Sequence, residues 1–400
     1  MRYDVIVVGA RCAGSPTAML LARRGHKVLL VDRATFPSDT ISTHILQPPG
    51  VAALARWGLL DRLLATGCPP IDTYAFDFGP VTITGSPGTA EHPASYCPRR
   101  TVLDKILVDA AAEAGAEVRE AFTVTGIVTD DGRVTGIRGR DRAGATVTEH
   151  ARVVVGADGV HSMVAKAVLP GRYHEKPELI ATYYAYFSDL PMAGRFEMYG
   201  RPERGFCAAP THDGLTIVVG GWPHAQLEAN RADIEGTLLA ALDLAPPFAD
   251  RVRSATRETR FVGMSVPNFF RVPSGPGWAL VGDAGYTRDP ITAQGISDAF
   301  REAESCAEAL HDHLSGTTPY ADAMADYQSS RDEQVLPIYE FTTQLATLEP
   351  PPPDLQRLLD AMPGNQEAMD GFARVNSGVT SPADFFSAAN VDSILAGATP

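Results

Sequence analysis

Apolar and polar positions follow different periods along this chain, and the changes of period mark out its elements. Val5 to Val8 is an unbroken apolar run, which predicts a strand buried on both faces. It breaks at Gly9 into a small-residue loop that opens a helix, and a second apolar run, Val28 to Val31, stops at Asp32. Helical spacing is predicted from Pro49 to Leu64, ending near Gly67. From Ile71 to Pro93 the pattern alternates and carries aromatics (Tyr74, Phe76, Phe78), which predicts antiparallel strands inserted into the parallel unit. A helix over Arg100 to Gly115 follows, then a three-strand meander at Val124–Val128, Val134–Arg138 and Ala151–Val155, divided by Asp-Gly and Ala-Gly turns.

Alternation with many aromatics resumes between Ile180 and Trp222 and predicts most of a second antiparallel sheet. The strand Trp278–Val281 breaks at Gly282, and a helix is predicted from about Gly295 to Leu314. Pro319 starts a long amphipathic helix toward Leu348, which a run of four prolines (Pro350 to Pro353) interrupts. The tail from Asp354 predicts two more helices, the last with Ser381 as N-cap and Pro382 at its first position.

Composition narrows the function classes. With 400 residues, 44% hydrophobic and 20% charged, the chain reads as an ordinary globular protein of two interlocked domains. A net charge of −14 argues against general affinity for nucleic acid or anionic lipid. Five widely spaced cysteines with no C-x-x-C pair, a first strand beginning within a few residues of Met1 and no apolar run of membrane length predict a reduced, cytoplasmic protein. No metal-ligand pattern is present.

The first unit, strand, glycine turn, helix, strand, acid, is the arrangement that holds a dinucleotide. Gly9 permits the tight turn, Gly14 lets helix and strand approach, and free N–H groups at the helix start face a pyrophosphate. Asp32 lies where a ribose hydroxyl is accepted. Arg11 occupies the middle glycine position of Gly9-Ala-Arg-Cys-Ala-Gly14, and its guanidinium is a candidate to supply charge to the same phosphates. Two further strands break into glycine turns, at Gly156-Ala-Asp-Gly and at Gly282-Asp-Ala-Gly. Ligands of open parallel sheets bind beyond the strands' carboxyl ends, so all three turns are expected to converge on one long cofactor. His44, in the polar loop after Asp32, is a candidate proton carrier, against the alternative of a histidine bonded to its own loop.

These three motifs resemble those of the FAD-dependent monooxygenases of the p-hydroxybenzoate hydroxylase fold, often called group A, and their geranylgeranyl-reductase-like cousins. The resemblance covers about residues 1–320. It implies an α/β fold in which a Rossmann-like FAD-binding domain (1–70, 98–175 and 262–318) is interleaved with an antiparallel-sheet substrate domain (71–97 and 176–261). C-terminal helices (319–400) complete it. It also implies that Gly9, Arg11, Cys12, Ala13, Gly14, Asp32 and Arg33 hold the adenosine diphosphate part. Asp158 and Gly159 form the second contact. Gly282, Asp283, Pro290, Gln294, Gly295 and Ile296 hold the ribityl and ring end, with Arg100 and His44 reaching the cofactor from their own elements. His44 and Pro290 are the candidate catalytic positions. In the second motif Ala165, beside Lys166, stands where the family has an arginine associated with the nicotinamide donor.

The activity implied is monooxygenation of a small, largely apolar or aromatic substrate. NADPH or NADH is the transient electron donor, dioxygen is the co-substrate, and a flavin C4a-hydroperoxide is the oxygenating species. The alternative is an FAD-dependent C=C reductase of the geranylgeranyl reductase type; a non-enzymatic binding protein on this fold would lack the cofactor. The W-x-W-x-I-P signature of flavin halogenases is not found. Tyr184, Tyr186, Phe206, Tyr339 and Phe341 are candidate walls of the substrate pocket.

Overall fold

The computed structural model describes residues 2–397. Its first sheet has a parallel core in the order Trp278–Leu280, Thr146–Gly156, Arg2–Val8, Val28–Val31, Glu117–Arg119. The unbroken apolar runs are explained by its two covered faces. Val5, Val7, Val28, Leu30, Val153 and Val155 pack under helices, while Ile6, Val8, Leu29, Val31 and Val154 pack under the meander. The meander is longer than its apolar segments suggested. Its third strand, Thr146–Gly156, begins antiparallel to Arg133–Arg140 and continues parallel to Arg2–Val8.

Register brings the three glycine corners together. Val8 is paired with Gly156 and Gly156 with Leu280, so three strands end in step at one edge of the sheet. The helices Gly14–Arg23 and Gly295–Leu314 then start from that edge.

The second sheet contains Ile180–Ser188, Thr216–Pro223, Arg204–Pro210, Arg195–Arg201, Thr73–Asp77 and Thr82–Gly85 in that order. Helices Ile234–Leu242 and Pro246–Ser254 cover one face through Leu242 and Phe248. The tail covers the other, where Phe372 meets Phe76 edge to face with ring centroids 5.2 Å apart.

Three elements differ from the sequence expectation. The helix expected over 49–64 is two, Pro48–Arg56 and Leu60–Leu64, because Gly58 takes a left-handed φ of +73° between them. The helix after Pro319 spans Tyr320–Leu345, and Leu348 sits beyond its end at φ +55°. The tail folds into four helices, Pro353–Ala361, Gln366–Asn376, Pro382–Phe385 and Ala388–Gly397: Gly364 and Gly378, both at positive φ, make the first two breaks where apolar spacing alone shows none, and the third falls at Phe386–Ser387. Ser381 is an N-cap as expected, its Oγ accepting the Ala383 N–H at 3.1 Å, but the helix it opens, Pro382–Phe385, is followed by Ala388–Gly397 and is not the last. Residues 398–400 of the expected C-terminal segment, and Met1, lie outside the described residues. Among the described residues no helix is long and apolar enough to cross a membrane, and no cluster of His, Cys, Asp or Glu is arranged to hold a metal ion.

Candidate active site

Contacts between the three corners require glycine. A β-carbon on Gly9 (φ +102°) would fall 2.4 Å from the Ala157 carbonyl oxygen, and one on Gly14 would fall 1.8 Å from the Gly9 oxygen. One on Gly282 (φ +62°) would fall 2.8 Å from the Ala13 methyl. Asp32 fastens the first corner: its carboxylate accepts the Ala10 N–H at 2.7 Å and the Ala34 N–H at 2.8 Å. Asp158 fastens the second, accepting the Ser162 hydroxyl at 2.5 Å and the Met163 N–H at 2.6 Å at the start of the short helix Met163–Val168.

The corners border a cavity of about 660 Å³. Every residue expected to bind the cofactor lines it except Gly14, which is spent on packing against Gly9, and His44. On Gly159 and Gly295 an added β-carbon would meet nothing within 4 Å, so both present bare backbone to the open cavity.

Arg11 does not behave as expected. Its guanidinium is bound to Asp104 at 2.5 Å and to Ser38 Oγ at 3.0 Å, so it latches the 38–39 loop to the 100–113 helix rather than standing free for phosphates. Asp104, fully buried, is the hub that sequence reasoning missed. It also accepts Arg100 Nε at 3.0 Å and Nη2 at 2.9 Å, and the Cys12 thiol at 3.4 Å. The i, i+4 spacing of Arg100 and Asp104 is the signal that marked it.

Asp283 stands open to the cavity yet deep between its walls. That enclosure pushes its carboxyl up to about 6, with the Arg100 guanidinium opposing. Below it Glu302 accepts the Gly282 N–H at 3.0 Å, and burial pushes its carboxyl up to about 7. At the start of the Gly295–Leu314 helix, Asp298 is held by two arginines, Arg288 at 2.7 Å and Arg301 at 2.8 Å. Two guanidiniums on one carboxylate leave a positive excess with the same sign as the helix N-terminus. Gln294 joins this group by accepting from Arg288 at 2.9 Å and donating to the Asn376 carbonyl at 2.8 Å.

A second, apolar chamber of about 360 Å³ lies against the first cavity between the antiparallel sheet and the tail. Thr43, Pro290 and Ala293 line both spaces and form the wall between them. Of the expected pocket walls, Phe206 and Phe341 line the chamber. Tyr339 does not: it packs in a separate core with Phe270 and Tyr286. Tyr184 and Tyr186 instead enclose His44.

His44 is fully buried, lines neither space, and bonds through Nε2 to the Tyr186 hydroxyl at 2.5 Å. Burial, with Arg100 and Arg99 nearby, lowers its pKa to about 3, so the ring is neutral. Its ring bonds to a sheet tyrosine and does not line the cofactor cavity, while its backbone N–H donates to Ser42 Oγ of its own loop at 3.1 Å.

Comparison with known proteins agrees with this geometry. The profile of a family described as an FAD binding domain matches residues 2–342. The chain is 30% identical over 331 residues to the 6-methylpretetramide 4-monooxygenase of Streptomyces rimosus, covering 78% of this chain and 76% of that one. It is 26% identical over 372 residues to digeranylgeranylglycerophospholipid reductase 1 of Methanopyrus kandleri, covering 88% and 91%. The solved structure of the myxobacterial chondrochloren halogenase superposes with a TM-score of 0.81 at 23% identity, covering 95% of this chain and 99% of that one, a likeness of fold.

The cavity fits the cofactor these relatives imply: residues of all three corners line it, bare backbone at Gly159 and Gly295 admits close approach, and carboxylates at Asp32 and Asp283 suit ribose and ribityl hydroxyls. On motif, fold and profile together, the chain belongs to the FAD binding domain family and is an FAD-dependent oxidoreductase.

Proposed function

We propose that this protein is a monooxygenase that consumes NADPH or NADH and hydroxylates or epoxidises a small, largely apolar or aromatic substrate. The observation that carries the reading is the wall shared by the two spaces at Thr43, Pro290 and Ala293. A substrate in the apolar chamber reaches the ring end of the cofactor cavity across one layer of residues. The similarity to a monooxygenase named for 6-methylpretetramide supports the reaction class.

Bound FAD would supply electron transfer and activation of dioxygen. The chain's own residues bind, orient and exclude water. Asp32, the Gly9–Gly14 turn and the helix it opens would hold the adenosine diphosphate part, and Asp283 a ribityl hydroxyl. The Gly295 N-terminus with its Arg288–Asp298–Arg301 group would stabilise negative charge on the ring's pyrimidine side when it is reduced. Pro290, carrying no N–H, offers the junction an apolar ring, and the aromatic chamber walls keep water from the reacting centre. The donor has no dinucleotide motif of its own in the sequence and would dock transiently. The unpaired state of all five cysteines suits a reducing cytoplasm.

Oxygen uptake by the yellow protein, measured with NADPH or NADH and a panel of phenols, indoles and polycyclic enols, tests this reading. Substrate-dependent uptake with a product 16 mass units heavier, on the order of one oxygen atom, is expected. Donor oxidation that proceeds equally without oxygen and yields a reduced alkene would replace it with the second reading, C=C reduction, which the broad similarity to digeranylgeranylglycerophospholipid reductases favours.

A further inference from the structure

The chamber has two unlike ends. Its inner end is the wall of Thr43, Pro290 and Ala293. Its outer end opens between the hairpin turn at Arg201–Arg204 and the chain from Gln344 to Pro352, where the exposed lining residues lie. A hydrogen bond from the Glu203 N–H to the Leu348 carbonyl, 3.1 Å, holds these two rims together.

Between the ends the lining is aliphatic and aromatic, including Phe196, Ile217, Val219, Leu355 and Phe372. Charge enters only at the mouth, from Arg201, Arg204 and Glu349. Arg201 is satisfied, paired with Asp77 at 2.9 Å and donating to the Leu244 carbonyl at 2.8 Å. Arg204 is different. It is half-buried, its Nη1 donates to the neighbouring Glu203 carbonyl at 2.6 Å, and no carboxylate oxygen among the described residues lies within 4.0 Å of it. Glu349, exposed on the opposite rim, is likewise not paired with it. A guanidinium without a counter-charge at the lip of an apolar chamber is a ready partner for an anion whose body fills that chamber.

We infer that the ligand of this chamber is a largely apolar molecule carrying an acidic group, a carboxylate or an acidic enol, at one end. Arg204 binds the acidic end at the mouth, so the opposite end is the one presented to Pro290 and Ala293. This deepens the functional reading above, since it rests on the chamber being the substrate site, and it adds both the chemical class and the direction of entry. Arg204 is thus a positioning residue that determines which end of the substrate reacts.

Two probes of the same shape test it: anthracene-2-carboxylate and its neutral counterpart, 2-(hydroxymethyl)anthracene, titrated by fluorescence into the FAD-loaded protein without donor. The wild type is expected to bind the carboxylate about tenfold or more tightly than the alcohol, a single charge-assisted contact. Arg204→Gln should abolish that preference and leave the alcohol's affinity within about twofold, while Arg204→Lys retains part of the preference. Val219→Phe, or Leu355→Trp should the first not fold with FAD, narrows the chamber and should weaken both probes about tenfold. A carboxylate preference that persists in Arg204→Gln, equal affinity of the two probes in the wild type, or indifference of both to the narrowed chamber would overturn the inference. The titration needs neither donor nor oxygen, so failure of oxygenation leaves this result standing, and the reverse.

Discussion

Gly282 lies against Ala13 so closely that a β-carbon on the glycine would come within 2.8 Å of the alanine methyl, although 269 positions of chain separate them. Contact of this kind between two remote strand ends is what turns three glycine motifs into one site. Gly282→Ala carries both this overlap and a left-handed φ. It should destabilise the protein by about 1–3 kcal/mol and weaken FAD binding, measured by thermal unfolding and by flavin titration. Gly25→Ala, also at positive φ but with nothing within 4 Å, should show the smaller backbone cost and normal FAD binding.

Arg288 tests the electrostatic part of the account. With Arg301 it over-compensates Asp298 at the helix start, and Arg288 Nη1 has no partner among the described residues. Arg288→Met should favour oxidised over reduced FAD by about tenfold, which lowers the two-electron midpoint potential by about 30 mV. Arg288→Lys should retain most of the wild-type potential. Equal potentials in all three proteins would remove Arg288 from the proposed stabilisation.

Glu302 gives a pH dependence with a defined sign. Its carboxyl is raised from 4.5 unfolded to about 7 folded, chiefly by burial, with Arg331 and Arg301 opposing. The folded state therefore binds the proton more tightly. That contribution to stability is fully present below about pH 4.5 and is lost as the pH rises through about 7. Glu302→Gln, which keeps the bond to the Gly282 N–H, should flatten this part of the stability profile of the cofactor-free protein, by on the order of 3 kcal/mol at most. Urea unfolding at intervals between pH 4.5 and 8 measures it; an unchanged slope would show that Glu302 ionises in the fold without penalty.

His44 gives a prediction of the opposite kind. Held neutral and lining neither space, it packs against Tyr184 and Tyr186. His44→Ala leaves the buried Tyr186 hydroxyl without this partner and should cost about 1–3 kcal/mol of stability, while turnover and its pH profile change by less than about threefold. A collapse of turnover with unchanged stability would restore the proton-carrying role.

The sheet, the three corners and the long helix from Gly295 were legible because each rests on local signals: an apolar run, a glycine at a strand end, helical spacing beyond it. The contacts that complete the site were not. Asp104 looks like an ordinary helix acid until folding brings Arg11 across from another element. His44 looks like a loop histidine until Tyr186, 142 positions away, closes over it. Tyr339 and Phe341 are two residues apart on one helix, and only the packing of the tail sends Phe341 to the chamber and Tyr339 to a different core.

The central claim is that the corners at Gly9, Gly156 and Gly282 bind one FAD, with Asp283 as a holding group. Counting FAD per chain in purified Asp283→Ala, from the ratio of flavin absorbance to protein, tests it most directly. The account predicts a folded, nearly colourless protein that titration with FAD fails to fill; a variant holding one FAD per chain as tightly as the wild type would contradict it.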